Sequence, residues 1–241
     1  MFPIRDSIPS RYVPWMTWLL IGINSAVFLF QISLPPELQE RFMYVFGLVP
    51  ARYSHPEWAI WAGLALDDYW PFVTSMFVHG GWMHLIGNMW TLWIFGDNVE
   101  DRMGPWRFLL FYILCGLAAA WVHYLLNIDS RIPTVGASGA ISGVLGAYFL
   151  MFRHSQIIMM VPVLFIPFFF AIPATLYLIG WFGMQLLPGL ASLVMPANAG
   201  GVAWWAHIGG FVAGMAVYRL FLHPLRNLRF YRDEVSWRSF F

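Results

Sequence analysis

The stretch Gly136–Phe152, "GASGAISGVLGAYFLMF", contains four glycines, no charged residue, and closes immediately before Arg153. Its Gly139-x-x-x-Gly143 spacing is a small-residue stripe of the kind that lets two helices in lipid approach backbone to backbone. A second stripe, Ala206-x-x-x-Gly210-x-x-x-Gly214, runs through "AWWAHIGGFVAG" (Ala203–Gly214). The two stripes predict helices that pack on each other. That packing would bring Ser138, near the start of the first, beside His207, near the start of the second.

The surrounding chain reads as a membrane protein. Of its 241 residues 60% are hydrophobic and only 10% charged, whereas soluble domains are about a quarter charged. Six segments approach the ~20 apolar residues needed to span a bilayer: Val13–Ile32, Gly81–Phe95, Trp106–Leu126, Gly136–Phe152, Ile157–Leu187 and Trp204–Leu222. Pro162, Pro167 and Pro173 predict a late start or a kink in the fifth. The expected fold is therefore an all-α polytopic bundle of six transmembrane helices, one domain over residues 1–241, with short tails at 1–12 and 223–241. Arg5 and Arg11 precede a first apolar run too long for a signal peptide, and no A-x-A-like site follows, so that run reads as a retained helix.

Every cation is an arginine. With the N-terminus inside, ten arginines fall in inner segments (5, 11, 102, 107, 153, 219, 226, 229, 232, 238) and three outside (41, 52, 131). This positive-inside bias predicts cytoplasmic N- and C-termini. The near-neutral net charge of +1 gives no reason to expect nucleic acid. Cys115 is the single cysteine, which excludes an internal disulfide and a cysteine-based metal site. The long first outer loop, Ser33–Val78, carries Trp58, Trp61, Tyr69 and Trp70 among apolar residues, which predicts that it lies in the outer leaflet.

Three of the six helices run inward from outside and carry polar groups near their outer ends. They supply His84 and Asn88 (one turn apart on one face), Ser138, and His207. From Ser138 to Phe152 a helix rises roughly 21 Å, so if Arg153 marks the inner boundary of a roughly 30 Å core, Ser138 lies roughly 9 Å below the outer one. A lone serine in such a helix is usually a back-bonder to its own turn. A histidine at the same depth is costly to bury, and the pair together reads as a functional site open to the outside. His79 at the mouth of the second helix reads as structural, and His123 and His223 as interfacial.

A serine hydroxyl becomes a useful nucleophile when a base accepts its proton, and histidine titrates in the right range. None of the twelve acids lies at the depth of His207, so the chemistry reads as a dyad. The tetrahedral oxyanion would be met by the backbone N–H groups of Ser138 and Gly139 at a helix start, the Asn88 carboxamide and an N–H of His84. No H-E-x-x-H zinc motif and no pair of intramembrane aspartates is present, and "GASGA" is not a G-x-S-x-G elbow. Neither a metal nor a cofactor is expected.

These motifs together resemble the rhomboid family of intramembrane serine proteases, in its bacterial six-helix form, over Val13–Leu222. "HGGWMHLIGN" (His79–Asn88) is similar to the family's H-x-x-x-N, "GASG" (Gly136–Gly139) to G-x-S-G, and "AHIGG" (Ala206–Gly210) to A-H-x-x-G. "VEDRMG" (Val99–Gly104) is similar to E-x-R, which implies a structural role for Glu100 and Arg102. The resemblance implies Ser138 as nucleophile, His207 as base, and oxyanion donors from Asn88, His84 and the Ser138 amide. It also implies peptide-bond hydrolysis through an acyl-enzyme in single-span substrates, at small residues near the outer leaflet of a bacterial inner membrane. Two positions depart from the family. Trp70 is followed by Pro71 where a Trp-Arg pair is usual, and Ser142 stands where some relatives place a tyrosine that stacks on the base. Trp204 or Trp205 is a candidate replacement for that ring, and Pro188–Ala203 is expected to act as a mobile lid. The alternative is a non-catalytic relative that binds membrane segments as a chaperone or degradation adaptor; retention of both Ser138 and His207 speaks against it.

Overall fold

A computed structural model describes residues 2–164, 166–193, 203–224 and 226. The fold is mostly helical. Strand β1 (Phe2–Asp6) leads into α1 (Trp15–Ser33); α2 (Pro36–Phe46), α3 (Ala51–Ser54), α4 (Pro56–Trp61), α5 (Pro71–Thr74) and a 3-10 turn at Ser75–Phe77 follow. Then come α6 (Trp82–Met103), α7 (Pro105–Leu126), α8 (Ser138–Met151), β2 (Gln156–Val163), β3 (Ile166–Pro173), α9 (Ala174–Ser192) and α10 (Trp204–Phe221). By length and composition α1, α7 and α9 can each cross a membrane.

The all-α expectation is corrected by a three-stranded antiparallel sheet in the order β1-β2-β3. The expected late-starting or kinked helix over Ile157–Leu187 is not formed as one element. Instead Gln156–Pro173 is a hairpin, with Pro162 opposite Pro167 and Gln156 opposite Pro173, and α9 starts only at Ala174. The cause is local. Prolines at 162, 167 and 173 each remove a backbone donor and clash with a preceding turn, while the Ile, Val and Phe between them suit a pleated strand. Phe2–Asp6, expected to be tail, pairs with the hairpin instead, placing Ile157 and Met159 in the core.

α8 lies at the centre. Along its stripe it meets α10 so closely that a methyl group on Gly210 would overlap the Gly139 carbonyl oxygen, and one on Gly214 would overlap that of Gly143. On its other flank, Gly139 sits against Ala119 and Gly143 against Cys115, both from α7. Both small-residue stripes therefore pack on each other, as expected.

At the end remote from Ser138, acids of α6 hold the chain that enters α1. α6 runs two turns beyond the expected Phe95 because "GDNVEDRM" is buried against protein rather than exposed. Glu100, 2% exposed, accepts hydrogen bonds from the N–H groups of Met16 (3.0 Å) and Thr17 (2.7 Å) and from the Thr17 hydroxyl (2.8 Å). It thus satisfies orphan donors in the first turn of α1, which has no side-chain cap of its own. Asp101 accepts from the N–H groups of Arg11 and Tyr12. The Arg102 carbonyl accepts from His223 N–H, and its guanidinium lies 5.7 Å from the Phe152 ring centre.

Asp6 closes this end. Its Oδ2 accepts from Tyr148 Oη at 2.5 Å and from Asn98 Nδ2 at 2.7 Å. Burial pushes its carboxyl up to about 7 from the ordinary 3.8, although both hydrogen bonds act to lower it. A raised folded-state value means that the folded protein binds more protons between those limits, so stability falls as pH rises from 3.8 to about 7. Asp6→Asn is expected to remove this fall: the variant's melting temperature, measured in detergent micelles, should match wild type near pH 4 and exceed it near pH 7. Glu100→Ala should be destabilised by about 2–4 kcal/mol, from orphaned buried donors and a lost cap, with Glu100→Gln less affected in the same denaturation assay.

Candidate active site

Ser138 is the first residue of α8, and three backbone contacts fix the segment that delivers it. Leu48 and Thr134 exchange N–H to C=O bonds at 2.9 and 2.8 Å, Ala51 N–H donates to Ser130 O, and Gly136 N–H donates to Ser75 O. Gly136 itself has φ +121°, a conformation L side chains rarely adopt, and a methyl group there would sit 2.6 Å from His84 Nε2. The first helical N–H to find an acceptor is that of Ile141, on Ala137 O at 3.0 Å. The N–H groups of Ser138 and Gly139 precede it, at the positive end of the helix dipole.

The packing of α8 on α10 carries Ser138 Oγ to 2.8 Å from His207 Nε2. This is a hydrogen bond between residues 69 apart in sequence. The other ring nitrogen, Nδ1, lies 2.7 Å from Oε1 of Gln185 on α9. No acid stands at this depth in the sequence to pair with that nitrogen, and Gln185 takes the place. The available signal was a single carboxamide in the apolar run "LIGWFGMQLLP" (Leu178–Pro188), since a polar group in such a segment is rarely idle.

Asn88, 7% exposed, faces the same cavity, and its Nδ2 donor has no hydrogen-bond partner among the described residues. His84 Nδ1 accepts from Gly80 N–H at 3.4 Å, which leaves Nε2 to carry the ring proton, on the side facing Gly136. Ser138, His207, His84 and Asn88 therefore line one cavity of about 1000 Å³, together with Trp181 and Gln185. Gly139 is buried between Ala119 and Ala206 and borders a smaller void of about 30 Å³ behind Ser138.

His79 is fully buried outside the cavity lining, 5.2 Å from the His84 ring. Gln31 of α1 holds its backbone, donating to His79 O at 2.8 Å. Burial, and then His84, pushes the His79 imidazole down to about 4, so it packs as a neutral ring. His123 reaches Thr134 Oγ1 at 2.8 Å and also borders the cavity. Ser142 bonds back to Ser138 O at 2.6 Å and has no ring to offer His207. Trp181 and Trp204 flank that imidazole at 6.2 and 6.5 Å between ring centres. Trp205 instead donates to Ser192 Oγ. Of the expected lid, Pro188–Ser192 is the last turn of α9, and residues 194–202 lie outside those described.

With Pro71 following Trp70, it is Arg52 that anchors the first loop. Its guanidinium, 2% exposed, donates to Ala65 O, Val45 O and Asp68 Oδ2, the last an ion pair at 3.0 Å.

Replacing Gly136 by alanine should drive a methyl group into His84 and displace the segment that delivers Ser138. Covalent labelling of Ser138 by a fluorophosphonate should fall by at least about 100-fold, as a misplaced reacting group implies, while the melting temperature drops by only a few degrees.

The Rhomboid domain family matches residues 66–224. The chain is 28% identical over 210 residues to rhomboid protein 1, mitochondrial, of Saccharomyces cerevisiae, a match covering 83% of this chain and 51% of that protein. It is 36% identical over 161 residues to RHOMBOID-like protein 5 of Arabidopsis thaliana, covering 59% and 52% respectively. With the rhomboid protease AarA of Providencia stuartii it shares 29% over 147 residues, 55% of this chain and 49% of that protein. The chain thus spans about half the length of these relatives.

Proposed function

The chain belongs to the rhomboid family of membrane proteins, and on that premise we propose that it is a serine endopeptidase that cuts single-span membrane proteins within the bilayer. The observation that carries this reading is the 2.8 Å contact of Ser138 Oγ with His207 Nε2 at the wall of a cavity that Asn88 and His84 also line.

In this reading α1, α6, α7, α8, α9 and α10 are the six spans, with both termini cytoplasmic. α8 has 14 residues, a rise of roughly 21 Å against a roughly 30 Å core. Its Ser138 end stops short of the outer surface, which puts the cavity mouth where water can descend. The first-loop helices, with Trp61 and Trp70 exposed, rest in the outer leaflet. A bacterial inner membrane suits this topology, although the named relatives include a mitochondrial one.

The chemistry follows from the contacts. Ser138 Oγ attacks the scissile carbonyl carbon while His207 Nε2 takes its proton. The carbonyl π pair moves to oxygen, and the oxyanion is met by the Ser138 N–H, the Asn88 Nδ2 and the His84 Nε2–H, all from residues of the cavity wall, whereas Gly139 stands behind Ser138. Collapse breaks the C–N bond, with His207 returning the proton to the leaving amine. Water activated by the same imidazole then frees the acyl group from Ser138. A helical substrate must unwind to present its carbonyl, which favours small residues at the cut.

Purified protein in liposomes with a single-span reporter tests the assignment. Ser138→Ala and His207→Ala should each lose at least about 10³-fold in kcat while staying folded; cleavage by Ser138→Ala at a wild-type rate would overturn it. Asn88→Ala should lose roughly 10²–10³ in kcat, the usual effect of removing one oxyanion donor.

A further inference from the structure

Gln185 forms its hydrogen bonds with Trp181 and His207 and not with Ser138, yet its bond to His207 constrains which way the catalytic proton can move. Its side chain, 7% exposed, is the buried polar one on α9, whose other buried residues are Ala174, Leu178 and Gly189. A carboxamide in such surroundings is costly unless both its ends are satisfied. They are: Nε2 donates to Trp181 O one turn earlier at 3.2 Å, and Oε1 lies 2.7 Å from His207 Nδ1. Because the amide nitrogen can only donate, its bond to Trp181 turns the oxygen toward the imidazole. An oxygen there requires Nδ1 to carry the ring proton. The neutral ring's lone pair is then on Nε2, which faces Ser138 Oγ at 2.8 Å. The opposite amide orientation would set an NH2 against Nδ1 and force the proton onto Nε2, where the ring could not accept from serine.

We propose that Gln185 is the positioning residue of the dyad, a neutral third member that fixes the tautomer and plane of His207 from a third helix. The proposal rests on the serine protease reading above. An aspartate in this place would stabilise the imidazolium more strongly, at the cost of burying an ion; a carboxamide supplies orientation with only the weaker stabilisation of a dipole. Ser142 has no ring to restrain His207, so orientation falls to Gln185, with Trp181 and Trp204 alongside. Because nucleophile, base and positioning residue come from α8, α10 and α9, the base is correctly set only while α9 is seated against α10. Gly189 permits that seating, with Ile208 and Trp204 packed on it.

The test uses the full-length protein in liposomes with the single-span reporter. Gln185→Met, of similar volume but with no acceptor oxygen, should lower kcat by about 10- to 100-fold with KM within about twofold, the pattern of an interaction that serves the reacting state. Gln185→Glu, which restores an acceptor oxygen, should recover kcat to within about fivefold of wild type. Nitrogen-15 NMR of histidine-labelled protein supplies a readout independent of turnover. His207 should be protonated at Nδ1 in wild type and in Ser138→Ala, and should become a mixture of tautomers in Gln185→Met. A Gln185→Met enzyme with wild-type kcat, a loss confined to KM, or a His207 tautomer unchanged by that substitution would each overturn the positioning role. Cleavage by Ser138→Ala would instead overturn the protease reading, and the NMR comparison would still decide whether Gln185 sets the tautomer.

Discussion

Everything at the site depends on how closely α8 and α10 approach. Gly139 and Gly143 on one helix face Gly210 and Gly214 on the other with no room for a side chain between the backbones. In lipid there is little hydrophobic force between helices, so van der Waals contact of bare backbones does the work. The same approach sets the Ser138–His207 distance, because each functional residue sits within one turn of its helix's stripe. Side chains long enough to separate the helices by even an ångström would break a 2.8 Å hydrogen bond.

The other polar groups are held by a similar economy. Glu100 satisfies donors at the start of α1, Gln31 of α1 grips the backbone of His79, and His79 packs on the His84 ring. A chain of contacts thus runs along α1 and α6 from the Glu100 end of the bundle to the cavity, where Asn88 Nδ2 is left without a hydrogen-bond partner among the described residues. In an apolar protein, an unpaired buried donor beside a paired hydroxyl and imidazole is an arrangement suited to charge that appears only during reaction.

Much of this was legible in the sequence because it is written in helical period and small-residue spacing. The stripes predicted the α8–α10 contact, and depth along those helices predicted which of the seven histidines would meet Ser138. What escaped reading was encoded in pairing between distant segments. Residues 156–173 form an apolar run whose prolines warned against a continuous helix, but periodicity alone does not separate a buried strand from a helix fragment. Its partner Phe2–Asp6 is some 150 residues away, and nothing local announces it. Gln185 and Arg52 escaped for a related reason. Each is a single polar residue whose meaning lies in what it reaches, His207 in one case and Asp68 with two carbonyls in the other.

The most direct check on the central contact is the intact mass and peptide map of protein treated with a fluorophosphonate, for wild type and for Gly210→Val. The close approach of α8 and α10 predicts one adduct, on Ser138, in wild type and none in Gly210→Val that still inserts into liposomes. An adduct on another residue, or equal labelling of Ser138 with the helices wedged apart, would contradict it.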